Sequence, residues 1–147
     1  MNNPVKFTFN HEEAKLPVYS SDLAVGADLH SVEDVELVPG IPVVVRTGLV
    51  LADIPPWLEL QVRPRSGLAV KGVTVINSPG TVDPDYRGEI KVILMLTTLE
   101  GSVSLPKGSR IAQLVLAPVF RGMFNKVAPE DAVDTSRGSS GFGSTGL

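Results

Sequence analysis

The chain has no cysteine, which excludes a disulfide-stapled scaffold, a thiolate nucleophile and any cysteine-ligated zinc or iron–sulfur centre together. Histidine is scarce too: His11 and His30 are the only two, without metal-ligand spacing to each other, and both are expected at the surface with no assigned role. Positive charge is in deficit, since 13 Lys and Arg against 16 Asp and Glu leave a formal charge of -3. That is the wrong sign for coating nucleic acid, although a few local cations remain enough to grip a small anionic ligand. No run approaches about 18 uninterrupted apolar residues, and residues 1–10 carry no basic region followed by an apolar core and a cleavage site. A soluble intracellular protein is expected, cytoplasmic or nuclear, with no membrane partner.

What is present is enough for one buried core. The 147 residues are 43% hydrophobic and 20% charged, too few for two ordinary domains and too apolar for wholesale disorder. Fourteen glycines and twelve prolines interrupt the chain so often that no long amphipathic helix fits between them. The intervening segments 5–9, 35–38, 42–50, 57–62, 73–76, 90–97 and 110–116 are short and rich in valine and isoleucine, the pattern of strands bounded by turns. In 57–62, Leu58, Leu60 and Val62 share one face, with Trp57, Glu59 and Gln61 opposite. The expected fold is all-β, a jelly roll or distorted barrel over residues 1–133. One helical turn is expected at 66–71, with Ser66 as its cap. A glycine-rich arm, 134–147, cannot form a core by itself.

Several segments carry candidate chemistry. In the arm, Arg137 and interleaved glycine, serine and threonine offer backbone N–H groups, hydroxyls and a guanidinium fork, the donors a polyphosphate needs. A floppy terminus is the alternative, and no Gly-Lys-Ser/Thr of a Walker loop is present. Residues 77–89, NSPGTVDPDYRGE, lie between two predicted strands and read as a hairpin. There an asparagine amide matches a base edge and Asp83 is able to orient a water, or Asp83, Pro84 and Asp85 are ordinary turn formers. Residues 63–71, RPRSGLAVK, place two arginines and a serine at the start of the helical turn, or make a solvated surface turn. Asp28, just after Gly26, reads alone as a turn residue. Gln113 is more telling, because a glutamine inside an apolar strand must find partners or cost about 1–3 kcal/mol.

In chain order, AVGADL (24–29), RPRSGLAVK (63–71), NSPGTVDPDYRGE (77–89), GSRIAQL (108–114) and RGSSGFGSTG (137–146) closely resemble the five motifs of trimeric dUTP pyrophosphatases. The resemblance implies a jelly-roll-like homotrimer that hydrolyses dUTP to dUMP and pyrophosphate with Mg2+, limiting uracil in DNA and supplying dUMP for dTMP synthesis. Its active sites are assembled from three subunits. By the same resemblance Asp83 orients the attacking water and meets the 3′-OH, and Tyr86 packs on the deoxyribose and leaves no room for a 2′-OH. Asn77 reads uracil, with backbone of its hairpin, including Gly80, completing the base pocket. Asp28 holds Mg2+ through water, while Arg65, Ser66, Gly67 and Gln113 meet the α- and β-phosphates. Arg137, Gly143, Ser144 and Thr145 are similar to γ-phosphate ligands, and Phe142 to an aromatic lid brought by a neighbouring subunit. Ser140 departs from the family, which often has glycine there; it adds a Cβ that bears on ordering of the arm, not on chemistry.

The chemistry itself asks for charge to be spread over the triphosphate and for a water to be placed in line, with no covalent intermediate. A dCTP deaminase, which resembles this fold, would need a carboxylate on the strand after the hairpin, where Lys91, Val92, Ile93 and Leu94 stand instead. A nucleotide sensor that binds without turnover is the alternative of another class.

Overall fold

The computed structural model describes residues 4–141, so Phe142, Gly143, Ser144 and Thr145 lie outside the described residues. The regular structure of the described residues is almost all strand: β1 (Lys6–Phe9), β2 (Val18–Tyr19), β3 (Gly26–His30), β4 (Val35–Leu37), β5 (Val43–Asp53), β6 (Leu58–Arg63), β7 (Val73–Val75), β8 (Gly80–Val82), β9 (Glu89–Leu96), β10 (Val103–Leu105) and β11 (Arg110–Pro118). The helical elements are α1 (Ser66–Ala69) and a 3-10 turn at Pro129–Asp131. Among the described residues no helix is long and apolar enough to cross a membrane.

The strands form two main antiparallel sheets, ordered β1-β5-β9-β7 and β2-β3-β11-β6-β8, with β10 and β4 as a separate pair. Period-two alternation decides which side faces inward: Leu58, Leu60 and Val62 of β6 are buried, as the pattern predicts. They join Leu29, Val45, Leu49, Leu51, Ile90, Val92 and Leu94 in one core between the sheets. This is the expected all-β, jelly-roll-like architecture. Strand β11 is flanked on both sides by β3 and β6, and Ile111, Ala112, Leu114 and Val115 of it are buried. Its centrality is what gives Gln113 two polar cross-strand neighbours, Asp28 on β3 and Arg63 on β6.

Four strands are absent from the sequence reading: β2, β3, β8 and β10. Strand β3 begins Gly-Ala-Asp, residue types poor in strands, and it forms because its neighbours supply the ladder. The 77–89 segment is correspondingly not a plain hairpin tip. Strands β7 and β9 do pair, Val75 against Leu94, but β8 between them crosses to the other sheet and pairs Gly80 with Val62 of β6. The cap of α1 also differs: Arg65 occupies the N-cap position in extended conformation, without a side-chain cap bond, and Ser66 is already the first helical residue. The Arg65 carbonyl accepts from Leu68 and Ala69 N–H groups, leaving its guanidinium to turn elsewhere. After β11 the chain leaves the sheet, and Phe120, Met123 and Phe124 are more than 90% exposed.

Candidate active site

Strand β3 places Asp28 where the sequence reading by residue type put a turn. Asp28 is 8% exposed, and its carboxylate is shared by three donors. Arg65 Nε donates to Oδ1 at 2.8 Å, and Ser20 Oγ and Arg110 Nη1 donate to Oδ2 at 3.2 and 3.3 Å. Burial opposes the charge, but Arg65, Ser20 and Arg110 outweigh it and hold the carboxyl below the usual aspartate range. Arg65 is itself tied down by a second bond, Nη1 to the Arg110 carbonyl at 3.3 Å.

Gln113 finds the partner its apolar strand demands: Nε2 donates to the Pro64 carbonyl at 2.7 Å. That bond pins the turn carrying Arg65 and Ser66 against β11. Asp28, Arg65, Ser66, Gly67 and Gln113 therefore line one cleft of about 410 Å³, together with Ser20. Gly26 is required beside it, since a Cβ there would lie 2.0 Å from Gln113 Oε1 and 2.8 Å from its Cδ. Gly26→Ala is expected to turn Gln113 away and lower the unfolding free energy by about 1–3 kcal/mol, the range for overpacking. Urea titration reads this, and wild-type stability would mean that Gln113 relocates without cost.

The 77–89 residues gather elsewhere. The Tyr86 N–H donates to the Asp83 carbonyl at 3.1 Å, so one tight turn presents both side chains, and Arg87 Nη1 staples it through the Pro84 carbonyl at 2.8 Å. Asp83 is exposed, and it lines a second cleft of about 470 Å³ with Thr81, Tyr86, Glu89 and Lys91. Asn77 lies over buried Gly80, where an added Cβ would meet its Nδ2 at 3.2 Å. No residue lines both clefts. Arg137 is exposed and lines neither; its Nε donates to the Ser140 carbonyl at 2.9 Å within the arm's own turn.

Sequence reasoning missed Ser20 and Arg110 as partners of Asp28, and Glu89 in the second cleft. Arg110 stands in the GSRIAQL segment; the β3–β11 register sets it opposite His30, and from there its Nη1 reaches Asp28. His30 is not a plain surface histidine. It is half-buried, and its Nδ1 has no hydrogen-bond partner among the described residues. Burial first, then nearby Lys15, pushes it below the ordinary imidazole range.

Glu89 accepts from the Gly48 N–H at 2.9 Å, Arg46 Nε at 3.1 Å and Asn10 Nδ2 at 3.4 Å. Burial disfavours its charge, yet these donors hold the carboxyl below its ordinary value of 4.5. The sign follows: a depressed folded-state value stabilises the fold above pH 4.5, and this is lost as pH falls through the folded value. Denaturant midpoints of wild type are thus expected to fall more steeply than those of Glu89→Gln between neutrality and acid. Parallel acid limbs would contradict the pairing.

Among the described residues no group of three or more His, Asp or Glu side chains is placed to cage a metal. The Asp28 carboxylate suits a different arrangement. Oδ1 accepts one protein bond, leaving a lone pair for a metal-bound water, and hydrated Mg2+ binds through one or two carboxylates plus phosphate oxygens.

The dUTPase family model matches residues 12–146. A deoxyuridine 5′-triphosphate nucleotidohydrolase of Ehrlichia canis is 48% identical over 141 residues, covering 94% of this chain and 91% of its own. The enzyme of the same name from Nautilia profundicola is 50% identical over 137 residues, covering 92% and 94%. Among solved structures, a Staphylococcus bacteriophage 80alpha dUTPase with dUPNHPP superposes with a TM-score of 0.84 at 25% identity, covering 99% of this chain and all of the other. A mutant dUTPase from phage phi11 of S. aureus, described with a structural Mg(II) ion, has a TM-score of 0.78 at 20% identity, covering 88% of this chain and all of the other.

Proposed function

The chain belongs to the dUTPase family, and from that premise we propose that it hydrolyses dUTP to dUMP and pyrophosphate by attack of water on the α-phosphorus. The observation that carries the reading is the convergence of buried Asp28 with Arg65, Ser66, Gly67 and Gln113 on one cleft, a set that supplies cationic and polar donors for a phosphate chain. Arg65 is pre-positioned for it. With Nε on Asp28 and Nη1 on the Arg110 carbonyl, its Nη2 has no bond among the described residues and is left for an α- or β-phosphate oxygen. Ser66 and Gln113 add neutral donors beside it.

Asp83 orients the water and contacts the 3′-OH, Tyr86 packs on the deoxyribose, and Asn77 with the Gly80 backbone reads uracil. Arg137, Gly143, Ser144 and Thr145 take the γ-phosphate, and Phe142 covers the base. Mg2+, held at Asp28 through water, supplies neutralisation of the phosphate charge when bound. Residues 1–133 make the catalytic body and 134–147 the closing arm. The two clefts of one chain share no lining residue, which fits a homotrimer whose subunits bring the Asp83 turn and the Asp28 cleft together across an interface. Such an enzyme limits uracil in DNA and supplies dUMP.

A panel of dUTP, UTP, dTTP and dCTP, followed by pyrophosphate release with and without Mg2+, tests this. Turnover of dUTP alone, enhanced by Mg2+, is expected. Tight binding with no product supports a sensor, and ammonia from dCTP supports a deaminase. The strand after the turn argues against the latter, because Glu89 at its start has its carboxylate engaged by Arg46, Gly48 and Asn10.

A further inference from the structure

The most heavily bonded carboxylate outside the phosphate cleft is that of Glu89, and it stands one bond from the sugar-facing ring. The Tyr86 hydroxyl donates to the Glu89 carbonyl at 3.2 Å. The ring reaches that carbonyl only because it folds over Gly88, where a Cβ would lie 2.3 Å from the Tyr86 hydroxyl and 2.9 Å from its Cε2. Glu89 is the first residue of β9, and its side chain, 8% exposed, is clamped from β5 by Arg46 Nε and the Gly48 N–H. At the same place the β5–β9 register shifts between Arg46 and Leu49, and the buried Thr47 hydroxyl donates to the Ile90 carbonyl. Successive carbonyls of β9 are thus fixed, one by Thr47 and the other by Tyr86. The ring angle is set by a strand on the far side of the turn, not by the turn alone.

We propose that Glu89 and Arg46 are positioning residues for sugar specificity: their ion pair locks the start of β9, whose Glu89 carbonyl holds the Tyr86 ring at the height that admits deoxyribose and rejects ribose. The inference rests on the reading of Tyr86 as the group that meets the sugar. A ring with a fixed hydroxyl has one position, whereas a ring released from Glu89 swings on its own χ1 and opens room for a 2′-OH. The dUTP-to-UTP ratio of kcat/KM is therefore the quantity under control.

The test compares that ratio in wild type, Glu89→Ala, Arg46→Ala, Tyr86→Phe, the double variant Tyr86→Phe with Glu89→Ala, and Tyr86→Ala. Glu89→Ala and Arg46→Ala are expected to lower the ratio by about tenfold, through a gain on UTP rather than a loss on dUTP. Tyr86→Phe, which removes only the hydroxyl from a ring that meets the sugar, is expected to lower the ratio by a similar factor, whatever its effect on dUTP itself. The double variant is expected to be no worse than Tyr86→Phe, because both changes cut one path. Glu89→Gln, which keeps an acceptor for Gly48, is expected to restore part of the ratio. A parallel fall on dUTP and UTP in Glu89→Ala and Arg46→Ala, or full additivity in the double variant, would overturn the proposal while leaving the role of Tyr86 intact. An unchanged ratio in Tyr86→Ala would overturn the reading of the ring itself, and the proposal with it.

Discussion

Replacing Asp83 with asparagine is expected to leave dUTP binding largely intact and to lower kcat by at least about a hundredfold, the scale for losing a positioned general base. Asparagine keeps the size of the side chain and the backbone of the turn, where the Asp83 carbonyl receives the Tyr86 N–H. What it removes is the negative charge and the proton-accepting oxygen. Among the described residues the Asp83 carboxylate is exposed and engaged by no donor, so no folding contact is lost with it. Stability and affinity for a non-hydrolysable dUTP analogue should therefore stay near wild type while pyrophosphate release collapses. Near-normal turnover would refute the assignment.

Deleting residues 137–147 is expected to preserve the assembly and to remove most activity, by more than about tenfold. The residues of this arm that the structure describes are exposed or half-buried and lie outside the hydrophobic core, so the β scaffold is built without them. Their donors are suited to the far end of the triphosphate, where positioning contributes to the rate rather than to folding. Solution mass together with pyrophosphate release separates the two roles. A truncated chain that falls to monomers would make the arm a structural tie, and one with full activity would leave Arg137 without a part in catalysis.

The sequence showed the barrel because its longer strands announce themselves by alternation and β-branching, and β5, β6, β9 and β11 lie close to where those patterns run. It concealed β3 and β8, whose glycine, alanine, aspartate and flanking prolines are the residues of turns. Pairing with β11 and β6 makes strands of them, and pairing is a tertiary fact. The same reason governs the site. Gln113 was conspicuous as a lone amide in an apolar strand, whereas the sharing of Asp28 between Arg65 and Arg110 depends on registers that no local pattern encodes. Ser66 shows the opposite error, since a serine before a short helix reads as a cap, yet the extended Arg65 takes that position and the serine is left to face the cleft.

Hydrolysis of dUTP in water enriched in heavy oxygen tests the account most directly. With Asp83 steering the nucleophile to the α-phosphorus, the label is expected in dUMP and not in pyrophosphate. Label in the pyrophosphate, with unlabelled dUMP, would place the attack on the β-phosphorus and contradict it.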